Sequence, residues 1–199
     1  MESMDALSNA DFKYQKQEGY HWFVIRSTFN RARKAYDLLT LSGFTAYMPV
    51  HVVERVKNKR LRRVVEPLIH NMLFVYANEA DIKDFVKLNK EISYVTLYYN
   101  HFETNAQGYN TLMRVPEAQM DNFIRATRMD NKHVLLVDPT NIRYKTGDTV
   151  RVIEGDFLGV TGKVARVRGQ SRVVVTLDGV CAIATAYIPQ AFLEPYEPG

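Results

Sequence analysis

A single cysteine, Cys181, stands among the 199 residues, so no internal disulfide can form. Its strand-like surroundings read as those of a small buried hydrophobe, not a reactive thiol. Long apolar runs are missing as well. Nothing approaches the roughly 18 to 20 residues of a membrane span, and "MESMDALSNADFKYQKQEGY" lacks the apolar core of a signal peptide. The expected address is therefore cytoplasmic, with no membrane partner. The histidines at positions 21, 51, 70, 101 and 133 show no metal spacing, and neither a metal nor another cofactor is expected. Ser27-Thr28 has no G-x-S-x-G context, and no paired carboxylates stand at a fixed local spacing. "GDFLGVTGKV" ends in Gly162-Lys163, yet Phe157 and Val164 occupy the positions where a phosphate-binding loop needs Gly and Ser or Thr. No mechanistic motif remains, and an enzyme is not expected. An enzyme would require titratable groups gathered in one cleft by the fold.

What is present is a 46% hydrophobic chain with a formal charge of +4 and a pI of about 9.1. That content supports one sizeable core or two small ones. The positive charge is uneven: Glu54 to Glu66, "ERVKNKRLRRVVE", holds six basic residues, and Asn30 to Tyr36, "NRARKAY", holds three. Such clusters fit a phosphate backbone or an acidic protein surface. They equally fit a solvated hairpin tip or helix face.

The pattern along the chain is mixed. Residues 1–17 are polar and read as a flexible tail. "YHWFVIR" reads as a buried strand, after which Asn30 is expected to cap a helix with Ala32, Ala35, Tyr36 and Leu39 on one face and Gly43 at its end. "FTAYMPV" reads as a strand, the basic stretch around Asn58 as a hairpin loop, and "MLFVYA" as a central strand. Asn78 caps a second helix carrying Ile82, Phe85, Val86 and Asn89, and the strand "ISYVTLYY" follows. Pro116 opens a third helix whose stripe is Met120, Phe123, Ile124 and Thr127. These elements predict an α/β sandwich over 18–129. A linker, 130–143, contains the apolar "HVLLV". Residues 144–199 then change texture, with "TVRVIE", "GKVARV", "RVVVTL" and "VCAIATAYI" as short strands and Asp178-Gly179 as a tight-turn signal. The fold class is thus α+β, a sandwich followed by a small, closed SH3-like barrel. Gly155, Gly159 and Gly162 serve as its corners. Phe157 and Leu158 tip one loop, where they either dock a partner or, for Phe157, fold back over the barrel.

Four of these segments, in this order, resemble the NusG family. "HWFVIRSTFNRARKAYDLL" is similar to the first strand and helix of its NGN domain, and "EPLIHNMLFVYA" to the strand after the NGN hairpin, especially in the RfaH branch. "RVPEAQMDNFI" resembles the closing NGN helix, and "YKTGDTVRVIEGDFLGVTGKV" the start of the KOW motif. The resemblance covers about residues 18–195. It implies a monomeric transcription elongation factor whose NGN domain seats an apolar groove on the clamp helices of the largest RNA polymerase subunit, opposing pausing or termination. By position, that groove would include Phe23, Ile25, Ile69, Met72 and Phe74, although strand alternation turns some of these toward the core. The resemblance also implies contact with the non-template DNA strand or nascent RNA through Arg26, Phe29, Arg31, Arg33 and Lys34. Through the KOW loop at Phe157 and Leu158 it implies a ribosomal protein or Rho.

Departures from the family pattern point to a specialised paralogue of the RfaH or UpxY kind, serving particular operons. Ile69-His70-Asn71 replaces the aromatic-Pro-Gly or aromatic-Pro-Asn turn, Met72 replaces an aromatic, and "LDGVCAIATAYIP" replaces "FGR". The β-branched "RVVVTLDGV" favours a permanent sheet over a helical alternative. The other reading is a KOW-type RNA-binding or ribosome-associated protein, against which the first domain's resemblance argues.

Overall fold

The computed structural model describes residues 12–57, 59–128, 134–138, 140, 142 and 144–197. The polar tail up to residue 11, Asn58 at the hairpin tip and residues 129–133 of the expected linker lie outside the described residues. Two compact units result: one contains Lys13–Pro49 and Ile69–Glu117, the other Val50–Leu68 and Ala118–Gly199.

The first unit is built on β1 (Tyr20–Ser27), α1 (Ala32–Leu41), β2 (Thr45–Tyr47), β5 (Met72–Asn78), α2 (Glu79–Leu88) and β6 (Val95–Leu97). Its sheet runs β2-β5-β1-β6, every pair antiparallel, with β9 (Arg114–Val115) also on β1. Each helix therefore links two strands that flank a third, the split βαβ arrangement. α1 rests on β1, β2 and β5, and α2 on β5 and β6. Trp22, Phe23, Phe74 and Tyr47 are fully buried here, as expected for a sheet covered by helices. Asn78 caps α2 as its sequence position predicts, accepting the Ala80 N–H at 2.9 Å. Part of the expected tail is tied down. Tyr14 packs edge-on against Trp22 and Tyr76, and the Gln17 N–H donates to the Tyr76 hydroxyl at 2.9 Å.

"ISYVTLYY" is not one strand. A 3₁₀ turn at Lys90–Ile92 precedes β6, and β7 (Tyr99–Thr104) then pairs with β8 (Asn110–Leu112) as a separate hairpin.

The second unit holds a longer hairpin than the basic run suggested, β3 (Val50–Lys57) with β4 (Arg60–Pro67). It also holds α3 (Glu117–Thr127) from Ala118 onward, and a six-stranded antiparallel sheet ordered β10-β14-β13-β12-β11-β15. Those strands are β10 (Leu135–Val137), β11 (Tyr144–Val152), β12 (Thr161–Val167), β13 (Gln170–Leu177), β14 (Cys181–Tyr187) and β15 (Leu193–Pro195). Leu135–Val137, expected within a linker, adds to β14 as an edge strand. Among the described residues no pairing joins β10 to β15. The closed barrel that was expected is not found among the described residues, where β10 and β15 are the two ends of the strand order.

The α3 stripe Met120, Phe123, Ile124 and Thr127 is buried, and its polar flank bonds to sheet residues. Asn122 gives its amide to the Thr161 carbonyl at 2.7 Å and accepts the Thr161 N–H at 2.9 Å. Gln119 gives its amide to the Asp178 carboxylate at 2.7 Å and accepts the Asp178 N–H at 3.1 Å, and Arg125 donates to the Gly159 carbonyl at 3.0 Å.

Candidate functional site

At the end of β1 the Ser27 N–H donates to the Asn71 carbonyl at 2.8 Å, and Thr28 gives both its N–H and its hydroxyl to the Tyr94 carbonyl. Phe29 and Asn30 then both adopt φ of 56°. A left-handed side-chain-bearing residue costs about 1–2 kcal/mol, and the result is a Phe29 ring that is 83% exposed. Asn30, expected to cap α1, cannot do so from this conformation. Arg31 takes the cap position with no side-chain hydrogen bond, which leaves its guanidinium to the rings.

That guanidinium lies 5.6 Å from the Phe29 ring centroid and 5.1 Å from that of Tyr94, while the Lys34 ammonium is 5.7 Å from Tyr94. Phe29, Arg31 and Lys34 are thus brought together around a tyrosine that sequence reasoning missed. Tyr94 reaches them because β6 pairs with β1, placing Val95 opposite Ser27. Burial pushes its phenol up from the ordinary value, so it stays protonated at neutral pH. Arg33 is drawn into an ion pair with Asp37 one turn on, at 3.0 Å. Arg26 is exposed on β1, opposite Met72 and Thr96. Cations beside the exposed Phe29 ring offer a phosphate contact and a stacking platform in one place.

The five expected groove residues are divided. In an antiparallel pair, directly opposed residues share a face and sequence neighbours alternate. Phe23 and Ile25, opposite Val75 and Leu73, lie on one face of the sheet; Phe74 and Met72, opposite Val24 and Arg26, lie on the other. Phe23, Ile25, Ile69 and Phe74 are buried and Met72 is half-buried. Strand alternation thus turns Phe23 and Ile25 away from Phe74 and Met72, the division that alternation led one to expect.

The loop Gly155–Val160 is held by Gly159 N–H to the Val152 carbonyl at 2.7 Å and Val160 N–H to the Phe157 carbonyl at 2.9 Å. Gly155 and Gly159 both have φ of 80°, the corner role expected of them. Phe157 turns inward and is 5% exposed, while Leu158 is 60% exposed. The pair therefore separates into one packing residue and one surface residue.

Among the described residues no group of three His, Cys, Asp or Glu is placed to hold a metal ion, and no helix is long and apolar enough to cross a membrane. Burial pushes the Cys181 thiol up to about 12, which keeps it protonated and unreactive at neutral pH.

What this surface offers is contact, with cations set beside aromatic rings, on a split βαβ scaffold. Residues 20–124, more than half of the chain, match the family described as Transcription termination factor nusG, and the chain belongs to the NusG family. Its members are non-enzymatic transcription factors that act in elongation and bind RNA polymerase. A solved structure, "Domain interaction in Thermotoga maritima NusG", is similar at 17% identity with a TM-score of 0.47, over 89% of this chain and 98% of that chain. No curated protein sequence matches the chain.

Proposed function

We propose that the protein is an operon-specialised elongation factor of the RfaH or UpxY kind, acting in the cytoplasm as a monomer to suppress pausing or termination. Its domains are 18–129, NGN-like, and 144–199, a KOW module. The first seats on the polymerase clamp helices. Met72, half-buried and paired with exposed Arg26, is the member of the expected groove with surface to offer; Phe23, Ile25 and Phe74 shape the sheet beneath it, and buried Ile69 the segment that leads into β5. The observation that carries the reading is the cluster of Phe29, Arg31, Lys34 and Tyr94, which suits an unpaired non-template strand: cations for phosphate, exposed Phe29 for a base.

The cationic hairpin β3–β4 approaches upstream DNA. Its register places Arg55, Arg60 and Arg62 on one face, Arg55 being paired with Glu66 at 2.8 Å, with Val56 and Leu61 on the other. Leu158 contributes to a second partner site on the KOW module, for a ribosomal protein or Rho.

The test is transcription through a terminator in vitro, on templates with and without the protein's own operon leader. Read-through that rises on the leader template alone, and falls when Phe29, Arg31 and Lys34 are changed to Ala, is the expected result. Unchanged read-through on every template would sink antitermination. Loss of polymerase capture by Met72→Glu would assign the clamp contact, and undiminished capture would remove it.

A further inference from the structure

The β12–β13 turn carries a second basic and aromatic assembly, in the C-terminal sheet. Arg166, Gly169, Gln170, Ser171 and Tyr187 line a solvent-open depression of about 400 Å³. Val167 pairs with Gln170, so Arg168 and Gly169 form a two-residue turn with φ of 51° and 79°. That turn type favours Asn-Gly or Gly-Gly. An arginine in its first position is strained, and strain of this kind clusters at functional sites.

The neighbourhood is rich in cations. From Thr161 to Tyr187 the chain has Lys163, Arg166, Arg168 and Arg172 against one acid, Asp178, which sits at the other end of β13 and is taken by Gln119. Among the described residues no carboxylate pairs with Arg166 or Arg168. Arg166 is steadied by its Nε–H to the Gly169 carbonyl at 3.3 Å. Arg172, buried, donates to the Thr185 carbonyl at 2.7 Å and to Gln170 Oε1 at 2.8 Å. With its oxygen so engaged, Gln170 presents its amide N–H₂ as a donor at the depression. Burial, then repulsion from Arg168, lowers the Arg172 guanidinium from its ordinary value, and a bound anion would relieve that repulsion. Tyr187, opposite Arg172 in the sheet, is 56% exposed.

We infer that this end of the C-terminal sheet binds single-stranded nucleic acid, with Arg166 and Arg168 on phosphodiester groups, Tyr187 stacked on a base and Gln170 donating to that base. Nothing in the assembly distinguishes ribose from deoxyribose, so RNA and single-stranded DNA are the two sources of the same chemistry.

The full chain is titrated by fluorescence anisotropy with a labelled oligouridylate, the matching oligothymidylate and polyglutamate. Arg166→Ala with Arg168→Gly removes both cations while relaxing the turn, so a folding defect is avoided. This variant should lose about tenfold or more in affinity and flatten the salt dependence by about 1.4 log units per log unit of salt. Tyr187→Ala should lose roughly fivefold or more with the salt slope unchanged. Tighter binding of the uridylate names RNA as the ligand, and tighter binding of the thymidylate names single-stranded DNA. Unchanged binding by Arg166→Ala/Arg168→Gly, with the loss appearing only in Arg31→Ala/Lys34→Ala or Arg60→Ala/Arg62→Ala, would overturn the inference. So would polyglutamate binding as tightly as either oligonucleotide with the same dependence on the variants, which would make the surface a dock for acidic peptide.

Discussion

The two sheets of this protein are filled in opposite ways. The first, β2-β5-β1-β6, buries the large rings Trp22, Phe23, Phe74 and Tyr47, shared between its two faces. The C-terminal sheet gathers Ala165, Val174, Ala182 and Ala184 in one cluster, with Val137, Ile142 and Val167 around them, and otherwise buries aliphatics in β13 and β14, Val173, Val175, Leu177 and Ile183. Side-chain size here follows the space to be filled. At Gly162, where β12 passes β13, a Cβ would lie 2.3 Å from the Val174 carbonyl oxygen, and no side chain fits there. One sheet is vulnerable to deletion of atoms, the other to their addition.

That asymmetry is open to direct test. Phe74→Ala should cost about 3–5 kcal/mol, the transfer loss plus a cavity that helix-covered strands cannot close. Urea unfolding measures it, and a loss below about 1 kcal/mol would mean that the first sheet relaxes as readily as a surface. Gly162→Ala adds one methyl in the other sheet and should cost about 1–3 kcal/mol, together with faster amide exchange along β12 and β13. If the alanine is tolerated without loss, the close approach does not constrain the C-terminal sheet and the contrast fails.

What could be read from residues alone follows the same division. Wherever periodicity and punctuation are local, they were legible: the buried stripe of α3, the Asn78 cap, and the Asp178-Gly179 turn, in which Gly179 has φ of 72°. Facing across a sheet was not. The side on which Phe23 or Phe74 lies depends on the pleat phase fixed by its partner, so four strand residues assigned together by position fell on two faces. Tyr94 joined Arg31 and Lys34 through a strand pairing that leaves no mark near either. The β7–β8 hairpin hid inside an apolar run because Tyr98 and Tyr99 continue it. Phe102, 92% exposed, and Tyr109, 72% exposed, then stand in solvent, where apolar patterning has no meaning.

Polar attachments extend the comparison to smaller effects. Asn122 holds α3 to Thr161 through two hydrogen bonds, at 2.7 and 2.9 Å, and Asn122→Ala leaves both backbone groups of Thr161 without that partner. A cost of about 1–2 kcal/mol is expected, with faster exchange of the Thr161 amide as the local signature. Asn78→Ala, removing one capping bond in the first unit, should cost about 1 kcal/mol. If Asn78→Ala proves the more damaging, the ordering of these attachments by bonds lost is wrong.

The smallest effect separates the units by acid. Glu79, in the first turn of α2, accepts from Lys83 and Arg114, and these two bonds hold its carboxyl below the ordinary value of 4.5. A depressed carboxylate contributes stability that is complete above its unfolded value and is lost as pH falls through the lower folded value. The contribution is a few tenths of a kcal/mol to about 1 kcal/mol, since the side chains involved are partly exposed and solvent screens them. By contrast the C-terminal sheet has Arg151 with Glu194 at 4.0 Å, both well exposed, and Asp178 bonded to a neutral Gln119. Lowering the pH from about 6 to about 3 should therefore weaken protection of the α2 amides before that of β12 to β14, and Glu79→Gln should remove most of the difference. Equal weakening of both regions in the native chain, or a difference that survives Glu79→Gln, would place the acid sensitivity on other carboxylates.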